Sequence, residues 1–257
     1  MNKIVLYLTA LLAILSINAC SSESKNRVEL MQTNEQSVTE RKVKNEETIE
    51  MNAQKDIPST NSKQDTSQEI FNNCNFIEEF SFIQCMDINY AENNNIRQSL
   101  NLWIPCKNSS SLKDCTTKQP SPLIIHIHGG GFVQGQKRVK SNNNLLKAGF
   151  AFASINYRLG VSGEFPNFLH DQKAAIRWLR ANEKNYTLKT DRIGAYGESA
   201  GGASVGLLAA TSGLENYSIN EQSIDLEGNV GNNLEYSSDI QARANYYGHS
   251  DAVKLPQ

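Results

Sequence analysis

The stretch Arg192-Ile193-Gly194-Ala195-Tyr196-Gly197-Glu198-Ser199-Ala200-Gly201-Gly202 decides the fold of this chain. Residues 192–196 predict a strand, and the small residues after Ser199 predict a helix to about Ala210. Between them, Gly197 to Gly201 matches G-x-S-x-G in the strand–turn–helix context that this pattern requires. The glycines serve a steric purpose. A sharp turn from strand to helix closes only when the residues two before and two after the serine are small. The turn lifts the Ser199 hydroxyl above the sheet, at the positive end of the following helix, where a developing oxyanion is favoured. Ser199 is the candidate nucleophile.

Upstream, residues 123–127 form a continuous apolar run after Pro122, ending in His128-Gly129-Gly130-Gly131-Phe132. Such a run predicts a parallel strand buried on both faces. Three consecutive glycines let backbone N–H groups converge on one point, as an oxyanion hole requires. A phosphate-cradling loop is the alternative, but neither G-x-G-x-x-G nor a following Lys-Ser/Thr pair is present. Further out, residues 82–90 and 99–104 predict an antiparallel pair, 137–148 a helix closed by Gly149, and 150–157 a strand. Residues 171–182 carry Ala174, Ala175, Ile176, Trp178 and Leu179 on a helical period. Residues 214–238 predict a long polar loop with at most one short element, and 240–247 a last strand. This alternation is that of an α/β domain: a mostly parallel sheet flanked by helices, with an N-terminal antiparallel hairpin. Both glycine-containing motifs fall at the carboxyl ends of strands, where ligands bind in such sheets.

These motifs, with Asn156-Tyr157-Arg158-Leu159, Phe165-Pro166, residues 170–182 and Asp191-Arg192-Ile193-Gly194, resemble one family. The chain looks like an α/β-hydrolase of the hormone-sensitive-lipase-like and feruloyl-esterase-like (BD-FAE) carboxylesterases over roughly residues 96–251. The resemblance implies hydrolysis of a small-molecule carboxylic ester through an acyl-enzyme on Ser199, with no cofactor. It gives the oxyanion to the backbone N–H groups of Gly130, Gly131 and Ala200, and the substrate pocket to Phe132 and His128. Other residues in these segments have structural readings. Asp171 caps a helix or pairs with a local Arg, and Tyr157 and Arg158 brace the sheet edge. His126 lies two residues before His128, so it shares its face and is packed or hydrogen-bonded. The role of Glu198 is open.

The chain order of this fold is Ser, then Asp or Glu, then His. One histidine, His249, follows Ser199. The resemblance places Tyr247-Gly248-His249-Ser250-Asp251 at the end of the sixth strand of the family, so neither His249 nor Asp251 matches a triad position. The expectation is a truncated chain that lacks the C-terminal strands, with an unpaired strand edge. Ser199 without a base is a poor nucleophile. The alternatives are a non-catalytic exported binding module and an inactive fragment on the same scaffold.

The N-terminus is a separate matter. Met1-Asn2-Lys3 is followed by an apolar run from Ile4 to Ile17, too short for a comfortable membrane span, and then Asn18-Ala19-Cys20. This predicts a signal peptide over residues 1–19, and Ile17 to Cys20 resembles the lipobox of bacterial lipoproteins. Cys20 would be acylated and would anchor an exported protein at the cell envelope. Residues 20–70, polar and without aromatic residues after Cys20, read as a disordered tether. Residues 71–257 remain for the partial hydrolase domain. Its four cysteines allow three connectivities, of which Cys74–Cys85 and Cys106–Cys115 each close a short polar excursion. None has CxxC spacing or a nearby His, so no metal is assigned. The net charge of -2 provides no basic field for phosphate neutralisation, which argues against a nucleic-acid partner. The oligomeric state is open.

Overall fold

The computed structural model describes residues 73–109, 111, 114–115, 119–219 and 221–250. The signal segment, Cys20, the tether and Asp251 lie outside them. One seven-stranded sheet organises the domain. β1 (Cys74–Ile77), β2 (Phe82–Asn89) and β3 (Ser99–Pro105) are antiparallel neighbours, and β3 pairs antiparallel with β5 (Ala151–Ile155). From β5 onward the ladder is parallel through β4 (Ser121–Ile127), β6 (Leu188–Glu198) and β9 (Ala242–Tyr246). The chain leaves β4 for β5 on one side and later fills β6 on the other. This order reverses beside β4, so the carboxyl ends of β4 and β6 open a crevice between them.

Pleating divides the buried side chains into two layers. Ile125, Ile127, Ala153, Ile155 and Ala195 face the larger core with α2 (Asn167–Ala181) and α3 (Ala200–Ala210). Each fully buried Ile contributes about 1.5–3 kcal/mol relative to an exposed one. Phe82, Trp103, Leu146 and Phe152 form a smaller layer on the opposite face, under α1 (Asn143–Lys147). Among the described residues β9 pairs with β6 alone, and all five of its residues are exposed.

Several boundaries differ from the sequence expectation. The helix expected over 137–148 shrinks to Asn143–Lys147. Its first residues are diverted, because the N–H groups of Lys137 and Arg138 donate to Asn156 Oδ1 and Ser154 Oγ, at 2.7 and 2.9 Å. Asn142 then caps the short helix through Leu145 N–H. Helix α2 begins four residues early, right after Pro166, the usual start signal for a helix. The loop over 214–238 contains a hairpin, β7 (Asn216–Ile219) with β8 (Gln222–Asp225). The cysteines pair as Cys74–Cys85, which joins register partners of β1 and β2, and as Cys106–Cys115.

Candidate active site

Strand β6 ends at Glu198, and α3 starts at Ala200. Ser199 makes the whole reversal, with φ 53° and ψ -119°. L-residues avoid this conformation, and it persists only where the surroundings over-determine it. The Ser199 N–H donates to Tyr246 O, and its carbonyl accepts the Ala203 N–H, both at 3.0 Å. Two glycines make the close approach possible. A Cβ on Gly201 would sit 2.1 Å from Ile127 O, so the first turn of α3 rests on the end of β4. A Cβ on Gly129 would lie 2.6 Å from Glu198 O and 3.3 Å from Ser199 Cβ. The glycine loop therefore runs directly against the turn at Ser199.

That loop is held from several sides. Val133 and Gln134 donate their N–H groups to Gly130 O at 3.1 Å, and Gly160 N–H donates to Phe132 O at 2.8 Å. Arg97 donates to Gly135 O at 2.9 Å. The N–H groups of Gly130 and Gly131 find no acceptor among the described residues. The Ala200 N–H, first of its helix, is free for a ligand in the same way. The Ser199 side chain itself is exposed.

His128 is 5% exposed and lies under the loop. Its ring stacks on Tyr157 at 4.4 Å, and Nδ1 lies 2.7 Å from Gly129 O, so Nδ1 carries the hydrogen. Tyr157 OH donates to His128 O at 2.8 Å. Burial, only partly offset by the bond to Gly129, pushes the imidazole down to about 4. A neutral, stacked His128 shapes the loop from below. Phe132 is half-buried, with its ring 4.5 Å from Phe168 and 6.4 Å from Tyr157. Both pocket residues of the sequence reading therefore meet at Tyr157.

Asp171 is fully buried and accepts Arg158 Nε and NH2 and the Arg158 backbone N–H, each at 2.8 Å, with Gln98 Nε2 at 2.7 Å. The pairing with a local Arg is the one expected. His126 does not share a face with His128. Strand β4 stops at Ile127 and the alternation stops with it, which leaves His126 beside Phe152 and Tyr196, at 6.3 and 5.0 Å between ring centroids. His126 also bonds Ser154 Oγ and Glu198, partners the sequence reading missed.

Among the described residues no group bonds Ser199 Oγ. His249 is exposed, and His170 is engaged with Asp225 O at 3.0 Å. No cluster of His, Cys, Asp and Glu able to hold a metal occurs among the described residues.

The BD-FAE family model matches residues 112–257. Carboxylesterase 1C of Mus musculus is 31% identical over 173 residues, 62% of this chain and 30% of that protein. Fumonisin B1 esterase of Sphingopyxis macrogoltabida is 29% identical over 170 residues, 56% of this chain and 30% of that protein. Among solved structures, a truncated form of a carbohydrate esterase from gut microbiota matches with TM-score 0.58 and 30% identity, over 64% of this chain and 56% of that one. A bifunctional GH43-CE protein of Bacteroides eggerthii matches with TM-score 0.54 and 32% identity, over 66% of this chain and 21% of that one. The chain thus spans from about a fifth to a third of the curated relatives it matches.

Proposed function

The chain belongs to the BD-FAE family, with an α/β-hydrolase fold, and from that premise we propose that Ser199 attacks the carbonyl carbon of a small carboxylic ester. Attack forms the bond from Oγ to carbon and moves charge onto the carbonyl oxygen, which takes the N–H groups of Gly130, Gly131 and Ala200. Water takes the Oγ proton during attack and returns one to the leaving oxygen, so collapse expels the alcohol and leaves an acyl-enzyme, which a further water hydrolyses. The approach of Gly129 to Ser199 carries this reading, because it sets the triple-glycine loop against the serine turn. Preorganised donors of this kind stabilise the developing charge without any reorganisation at the moment of reaction. The names of the similar proteins, esterases in each case, support an ester as substrate.

Proton transfer is the weak step in this chain. No base contacts Ser199 Oγ among the described residues, and general acid–base catalysis is typically worth on the order of 100- to 10,000-fold. The 257 residues by themselves should therefore turn over an activated ester slowly. Imidazole added to the solution should raise the rate as an external base, and Ser199→Ala should remove the enhancement. Fast turnover without imidazole, abolished by His249→Ala, would show instead that His249 is the base. For the N-terminal segment we propose acylation of Cys20 and attachment at the cell envelope. The exposed Ser199 hydroxyl, without a base among the described residues, also fits the second reading, a non-catalytic exported module that binds esters at the same site.

A further inference from the structure

Glu198 precedes the nucleophile, and its carboxylate is spoken for on both oxygens. His126 Nε2 lies 2.8 Å from Oε2, and Arg138 donates to Oε1 at 2.9 Å. On its other side His126 Nδ1 meets Ser154 Oγ at 2.9 Å. Ser154 Oγ also accepts the backbone N–H of Arg138 at 2.9 Å. Four residues from β4, β5, β6 and the segment leaving the glycine loop therefore close a hydrogen-bonded ring: Glu198, His126, Ser154, Arg138 and back to Glu198.

The donors and acceptors of this ring close in one way. Ser154 Oγ takes the Arg138 N–H and gives its own hydrogen to His126 Nδ1. The imidazole hydrogen then sits on Nε2 and points at the carboxylate. Ser154 is fully buried and His126 is 3% exposed, so neither reaches a substrate and both serve the ring. Burial keeps the His126 imidazole below its usual range. Burial pushes the Glu198 carboxyl up, but the His126 hydrogen bond and the Arg138 guanidinium outweigh it and hold the group ionised.

The ring also has a structural address. Glu198 O is the atom that Gly129 packs against, and Glu198 is the last residue before the left-handed turn at Ser199. Arg138 follows the loop that carries Gly130 and Gly131. We propose that Glu198 is a positioning residue, held by His126, Ser154 and Arg138, that fixes the distance between the Ser199 turn and the oxyanion loop. This rests on Ser199 being the nucleophile. A shift of about 1 Å between attacking atom and donors can cost on the order of 100-fold in rate.

The test uses the 257-residue chain with Glu198→Gln, Arg138→Met and Arg138→Lys, and a fluorophosphonate as a serine-directed probe. Modification at Ser199 is followed by mass as a maximal rate and a half-saturating concentration, beside the thermal midpoint. Glu198→Gln and Arg138→Met should lower the maximal rate about 10- to 100-fold, with half-saturation and midpoint near those of the parent chain. Arg138→Lys should recover part of the rate. Imidazole 15N shifts of the parent chain should show His126 as the Nε2–H tautomer. Unchanged rates in both disrupting variants, losses that track the thermal midpoint, or an Nδ1–H tautomer would overturn the proposal. A parent chain unmodified at Ser199 would overturn the nucleophile reading itself, and the positioning role with it, while the tautomer would still report whether the ring forms.

Discussion

Ser199 and Gly129 show how much a few residues determine here. The serine holds a strained turn, and Gly129, having no Cβ, lets the triple-glycine loop touch it. Both were legible in the sequence because G-x-S-x-G and the triple glycine are steric requirements written as residue types. The ring around Glu198 was not legible, because nothing in the spacing of Glu198, His126, Ser154 and Arg138 says that four segments meet. His128 yields a prediction at this scale. Its folded value of about 4 lies below its ordinary 6.5. As pH falls from about 6.5 towards 4, the unfolded chain takes up a proton that the folded chain resists, so stability falls over that window. His126, held down by burial, adds in the same direction. Denaturation midpoints between pH 7 and pH 4.5 should drop, and His128→Asn should flatten the slope. A slope unchanged by His128→Asn would contradict the buried, neutral imidazole.

At the scale of elements, apolar periodicity located β4, β5, α2 and α3 because those elements are buried on one or both faces. It missed β1, a four-residue strand among polar neighbours fixed by its disulfide to β2. It also shortened β6, whose alternation breaks at the adjacent exposed Asp191 and Arg192. Helix α2 hides a different feature. Lys173 and Arg177, each 1% exposed, both bond Glu227 in the loop after β8. Ser238 donates to the same carboxylate at 2.8 Å. One carboxylate thus serves two buried cations and ties the loop to the helix. Glu227→Gln leaves those charges uncompensated and should cost about 3–5 kcal/mol, measured as a lower urea midpoint. An unchanged midpoint would mean that the cations find other partners or water.

For the whole molecule, the net charge of -2 argued against a nucleic-acid partner, and strand–helix alternation gave the α/β class. On the sheet face that carries Tyr196, β9 is exposed among the described residues, which was legible only as an expectation about its edge. In the structure a groove of about 580 Å³ crosses that face, lined in part by Leu145, Tyr196, Ala242, Ala244 and Tyr246. The envelope proposal is tested by changing Cys20 to Ser and fractionating cells. The protein should move from the membrane to the soluble fraction, and retention in the membrane with unchanged mass would refute acylation at Cys20. The central claim is that Ser199 is the nucleophile served by Gly130, Gly131 and Ala200. Its most direct measurement is peptide mass spectrometry of the chain after exposure to an activated short-chain ester and an acid quench. An acyl group on the peptide containing Ser199, absent from Ser199→Ala, is the predicted result. A chain left unacylated there, or acylated equally in Ser199→Ala, would contradict it.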